Sequence, residues 1–114
     1  MSEVDIPGVC ARYVELVGDE NVDAMMELFA DDATVEDPVG AEVRSGREEL
    51  RAFYATIPPT GAKAKMSGEI HCVGNHAAFP FIIDTDGFEM SVIDTMSFND
   101  EGKITSMRAY WRLT

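Results

Sequence analysis

Basic residues are scarce in this chain. Nine Lys and Arg stand against 21 Asp and Glu, for a formal charge of −12. That balance repels nucleic acid and anionic membrane surfaces and leaves neutral, apolar ligands open. Cysteine is nearly absent: Cys10 and Cys72 are the only two. They fall in different predicted elements without metal-ligand spacing, and a domain with this much core needs no disulfide, so two buried free thiols are expected. The two histidines, His71 and His76, flank a predicted hairpin, cannot form a metal site by themselves and read as solvated. No long hydrophobic run is present either. The longest apolar stretches, such as Ala77 to Ile83, fall far short of the ~20 residues of a membrane span. The start, Met1-Ser2-Glu3-Val4-Asp5, is acidic where a signal peptide is basic. These absences point to a soluble, cytoplasmic protein.

What is present is apolar: 46% of 114 residues are hydrophobic, enough for one domain, 1–114, with a packed core and one apolar pocket. There is no repeat or linker. The hydrophobic period changes once, from helical spacing before about Thr60 to alternation after it, which predicts an α+β domain. Asp5 or Pro7 opens a first helix with Val9, Tyr13, Leu16 and Val17 on its apolar face, ended by Gly18 and Asp19. Asn21 caps a second, carrying Val22, Met25, Met26, Leu28 and Phe29, and Asp31-Asp32 reads as a helix-end turn. A short extended stretch from Ala33 to Asp37 stops at Pro38, whose ring keeps Asp37 out of the helical region. Ser45-Gly46-Arg47-Glu48 fits a capping box for a third helix that buries Leu50, Phe53 and Tyr54 and ends near Thr56, before Pro58-Pro59. Four strands, roughly 62–73, 76–84, 88–98 and 103–112, follow as an antiparallel meander turning at Gly74-Asn75, Asp86-Gly87 and Asn99 to Gly102, with the helices on one face.

Three polar groups occupy apolar positions. The two-residue period of 88–98 puts Asp94 on the face of Phe88, Met90, Val92, Met96 and Phe98. A carboxylate there lacks a cationic partner on its own strand, so burial should keep it protonated, as a hydrogen-bond donor. The competing readings are a strand bulged or slipped by one residue, or a pairing with Arg108 on the next strand. Tyr13 shares a helical stripe with Val9 and Val17, so its hydroxyl needs a buried partner; alone it reads as a core tyrosine. Asp37 ends a strand and is held extended by Pro38, which suits a carboxylate at a pocket mouth or a turn-capping aspartate. Together the three are more specific, because enolising a ketone needs a base near the α-carbon and donors aimed at the oxygen.

The segments Arg12-Tyr13-Val14, Leu28 to Gly40 with its Val35-Glu36-Asp37-Pro38-Val39-Gly40 block, and Arg44-Ser45-Gly46 resemble the steroid Δ5-3-ketoisomerases. So do Phe53-Tyr54, Ile93-Asp94, and Phe98-Asn99 through Ser106-Met107-Arg108-Ala109, nearly the whole chain in order. The resemblance implies a curved-sheet α+β cone, three N-terminal helices around an apolar pocket, shared with scytalone dehydratase and nuclear transport factor two-like proteins. It also implies that Asp37 carries a proton from C4 to C6 of a 3-oxo-Δ5-steroid while Tyr13 and a protonated Asp94 stabilise the dienolate oxygen. No metal or organic cofactor is implied. Ketosteroid isomerases are themselves the type case of a carboxylic acid kept neutral at pH 7, so strand parity only agrees with what the family brings.

Phe53, Tyr54, Phe81, Phe88, Met90, Val92, Met107 and Trp111 are the candidates to line the pocket, with core packing as their plainer role. Trp111 falls where the family places an aromatic beside the steroid, and Tyr54 is placed to hydrogen-bond to Tyr13. The chain departs from the family in a shorter connection around Ile57 to Ala64, in a chain end three residues after Trp111, and in Phe29 where some members carry a second hydrogen-bonding tyrosine. A homodimer is expected, since family members pair through the sheet and Ile93 and Tyr110 face outward. The other readings are a cyclase, dehydratase or epoxide hydrolase on the same cone, or a lipid-binding or dimerisation module without turnover. A dehydratase of this shape relies on pocket histidines, which this chain does not place there. A binding module has no need of Asp37, Tyr13 and Asp94 together.

Overall fold

In the computed structural model, which describes residues 4–17, 19, 21–56, 63–85 and 88–113, helix α1 (Ile6–Leu16) begins where the Asp5 side chain accepts from the Gly8 amide (3.0 Å). That bond satisfies one of the donors a helix start leaves open, and Pro7 in the first turn gives up none that is needed. Cys10, Tyr13, Val14 and Leu16 form its buried face. Helix α2 (Val22–Met26), capped by the Asn21 side chain accepting from Ala24 N–H (3.0 Å), is shorter than its periodicity predicts. Phe29 does not continue it but opens strand β1 (Phe29–Glu36), which also takes in Asp31 and Asp32. The chain leaves the helix because its last carbonyls find partners elsewhere: Arg47 donates to Met26 and Phe29, Lys103 to Glu27, and the Ile104 amide to Leu28.

Strand β2 (Arg44–Ser45) leads into helix α3 (Gly46–Thr56). The backbone at Gly46 has φ +84, which a residue with a Cβ adopts only under strain. The return bond of the expected capping box comes from one residue later than predicted: the Ser45 amide donates to Glu49 Oε1 (2.9 Å), not to Glu48.

The remaining strands are β3 (Lys63–Met66), β4 (His71–Val73), β5 (His76–Thr85), β6 (Phe88–Phe98) and β7 (Ile104–Leu113). They join β1 and β2 in a curved, unclosed sheet of order β2-β1-β7-β6-β5-β3, with β4 also paired to β5. The strand expected over 62–73 is two strands. Pro80, in the middle of β5, brings no N–H to the ladder, and Gly68 passes so near its ring that a Cβ there would lie 2.8 Å from Pro80 Cγ. The pairing accordingly jumps from Met66↔Phe81 to His71↔Ala78. The run β5-β6-β7 is the predicted antiparallel meander, but β1 joins β7 in parallel, so the sheet is mixed.

The three helices lie on the inner face, over Val35, Phe79, Met96, Phe98, Ile104 and Met107. Cys10 is buried there, whereas Cys72 is exposed, contrary to expectation, because β4 is a three-residue strand with no side chain covered. The turn at Asp86-Gly87, the helix-ending Gly18, most of the shortened 57–64 connection and the side chain of Phe88 lie outside the described residues. No helix among the described residues is long and apolar enough to cross a membrane.

Candidate active site

Among the described residues Asp94 is the one charged-type side chain in the buried core, 1% exposed between the equally inward Val92 and Met96. The strand is neither slipped nor bulged there: Asp94 pairs in register with Phe79 on one side and Ala109 on the other. Arg108 does not reach it, being on the outer face with its Nε donating to Glu36 Oε1 (2.9 Å). Among the described residues neither Asp94 oxygen has a hydrogen-bond partner. Burial, and then the charge of Asp37, push this carboxyl well above its ordinary 3.8. Both effects favour its neutral, protonated form, whose proton no described residue accepts.

Tyr13 comes to the same place from α1, 3% exposed, its hydroxyl 2.9 Å from that of Tyr54 on α3. Burial holds both phenols well above 10. Two hydroxyls share one mutual bond, so when Tyr54 donates to Tyr13 the Tyr13 proton is left for a third oxygen. Phe29 packs edge-on against Tyr13 and tilted against Tyr54 at 6.4 and 5.5 Å between centroids, filling with a ring the place where another tyrosine would extend the network.

Asp37 follows the last residue of β1, and the turn that presents it is tied on both sides. The Glu36 carboxylate accepts from Gly40 N–H and Arg108 Nε (2.9 Å each), while the Val39 amide donates to Ala109 of β7 (2.8 Å). The Asp37–Pro38 peptide bond is cis. The Asp37 side chain is half-buried and accepts at Oδ1 from the indole N–H of Trp111 (2.5 Å). Desolvation raises its carboxyl above 3.8 and the Trp111 bond opposes that rise. The net rise makes its carboxylate a stronger base than a solvated one.

Tyr13, Asp37 and Asp94 all border one cavity of about 320 Å³. Of the expected lining, Phe53, Phe81, Met90, Val92 and Trp111 face it. Tyr54 does not; it stands behind Tyr13. Nor does Met107, 1% exposed in register with Val35 and Met96, deep in the core. Val17, Thr56 and Ile83 complete the wall without having been singled out as lining residues. Val17 continues the Tyr13 stripe by one turn and Ile83 shares the parity of Phe81, signals that were available; a threonine ending a helix carries none. His71 and His76 are on the outer face, where they border a separate cleft of about 300 Å³, and His76 Nδ1 lies 3.0 Å from the Ser97 hydroxyl.

The profile of the SnoaL-like domain matches residues 10–107. The steroid Delta-isomerase of Nocardioides simplex is 40% identical, over 94% of this chain and 89% of its own length. Among solved structures, the epoxide hydrolase/cyclase-like enzyme SalBIII, with a role in pyran ring formation in the polyether salinomycin, superposes with a TM-score of 0.81. It is 28% identical, over 94% of this chain and 90% of that one.

Proposed function

Since this chain belongs to the SnoaL-like family, and within it to the steroid Δ-isomerases, we propose that it converts a 3-oxo-Δ5-steroid to the conjugated Δ4 isomer. The observation that carries the reading is Asp94: a buried carboxyl with neither oxygen partnered among the described residues, facing an apolar cavity that also holds the half-buried carboxyl of Asp37. A module that only bound lipid would bear the cost of burying that group with nothing to set against it.

In the proposed cycle the steroid 3-oxygen accepts from Tyr13 and Asp94. Asp37 takes a proton from C4, the electron pair moves through the ring to that oxygen, and the dienolate is held by two preorganised donors. The same carboxyl then returns the proton to C6, so atoms and charge balance without a redox partner. Tyr54 holds Tyr13 in position, and Trp111 keeps Asp37 oriented and ionised until the substrate closes over it. The apolar walls exclude water, which strengthens both donors.

An ultraviolet assay with a 3-oxo-Δ5-steroid tests this. Growth of the conjugated enone band, transfer of a C4 deuterium label to C6, and loss of nearly all turnover in Asp37→Asn with binding largely retained are the expected results. A steroid that binds without isomerising would overturn the proposal. The reading extends to a homodimer through the outer face of the sheet, where Ile93 and Tyr110 are 50% and 44% exposed. Sedimentation at micromolar concentration showing only monomer would contradict that part.

A further inference from the structure

Among the described residues, five with polar side-chain groups border the cavity, and four of them are taken up by the chemistry: Tyr13, Asp94, Asp37 and, through its indole, Trp111. The fifth is Thr56. It ends α3 at the rim, where it is exposed, while Tyr13 and Asp94 lie buried at the floor. A substrate anchored by its 3-oxygen at the floor therefore presents its other end to the rim. Apolar ligand sites fix orientation through a small number of placed polar groups, and at this end the described lining offers one.

What Thr56 can do there is set by where its proton already goes. Its Oγ1 donates to the Phe53 carbonyl three residues back at 2.6 Å, a short bond within the helix's last turn. A threonine hydroxyl has one proton and two lone pairs, so with the proton committed it meets a ligand as an acceptor only. A ketone at the rim finds no donor in it, whereas a hydroxyl does find an acceptor. From this we infer that Thr56 is a specificity-determining residue that favours steroids carrying a hydroxyl, over those carrying a ketone, at the end remote from C3. The inference rests on the isomerase reading for the direction in which the substrate lies. Because the rim is open to water, which competes for the same hydroxyl, the preference should be roughly 2- to 5-fold, the lower part of what a hydrogen bond contributes.

Two 3-oxo-Δ5-steroids that differ only in a hydroxyl or a ketone at the remote end are compared on the wild type, Thr56→Val and Thr56→Ser. The expected result is a hydroxyl-to-ketone ratio of kcat/KM that falls by that factor in Thr56→Val, through KM and not kcat, and is restored in Thr56→Ser. Equal changes for both steroids, or an unaltered ratio, would overturn the inference. The same ratio is also measured in binding, by quenching of the single tryptophan with the hydroxyl and oxo forms of the conjugated Δ4 steroid. Absence of turnover would then remove the isomerase reading, while the inference about Thr56 stands or falls on the binding ratio.

Discussion

Replacing Asp94 by asparagine removes a proton that the folded chain binds and the unfolded chain releases. In the native state burial and Asp37 hold this carboxyl well above 3.8, and the proposed donor role requires it to stay protonated at neutral pH, while in the unfolded chain it ionises with an ordinary value near 3.9. Between those two values the native state binds one proton more. Stability from this group therefore falls as pH rises, by about 1.4 kcal/mol per pH unit. The other groups facing Asp94 do not blur the measurement between pH 5 and pH 7. Tyr13 and Tyr54 stay well above 10 and Cys10 is pushed up to about 12, while Asp37 is present in both proteins. Urea unfolding of the wild type and of Asp94→Asn across that window should show their difference shifting in favour of the variant by about 2.7 kcal/mol in total. The asparagine keeps the shape and a donor, and its own burial cost does not depend on pH. Parallel stability curves would mean that Asp94 is ionised in the folded chain, and the neutral-donor argument would fail with them.

Asp94→Ala should lower kcat by ~10²–10³, the usual loss of one preorganised oxyanion donor, with a much smaller change in steroid affinity; a proportionate loss of binding would assign the residue to ground-state contact instead. Tyr54→Phe should reduce kcat by at most about 10-fold, since it removes one neutral hydrogen bond to Tyr13, whereas Tyr13→Phe loses the donor itself; equal kcat losses in the two variants would contradict this division of roles. Trp111→Phe takes away the bond that lowers the Asp37 carboxyl, so the acid limb of kcat/KM, which rises with pH as Asp37 ionises, should move to higher pH; an unmoved limb would show that the indole does not set the base.

The inward parity of Asp94, the apolar stripe holding Tyr13 and the turns at Gly74-Asn75 and Asn99–Gly102 were legible because each is a local pattern of period two, period 3.6 or turn chemistry. The route of the chain from Met26 to Glu36 was not. Leu28 and Phe29 continue a helical pattern, and partners far away in sequence, Arg47 on Phe29 and the amide of Ile104 on Leu28, turn the chain out of the helix so that a strand begins at Phe29. Pairing of β1 with β7 is likewise invisible to local reading, as is the break that Pro80 imposes between β3 and β4. The Trp111–Asp37 bond depends on that same pairing: the sequence offered an aromatic beside a pocket and gave no sign that its N–H meets Asp37. At the rim, Thr56 is a commonplace helix end until the cavity shows what it faces.

The parallel union of β1 with β7 also sets the order in which the molecule can be assembled. Arg108 and Glu36, which clasp the Asp37 turn, are 72 positions apart. Closing so long a loop is slow compared with forming helices and hairpins, and a chain emerging from the ribosome makes β1 long before the strand that will hold it. Until residues 104–111 are made, β1 has only the short β2 as a neighbour, Asp37 has no indole to meet, and the cavity lacks a wall. The helices and the β5-β6 hairpin can mature earlier, so Asp37 is set in place only once residues 104–111 have been made and β7 docks.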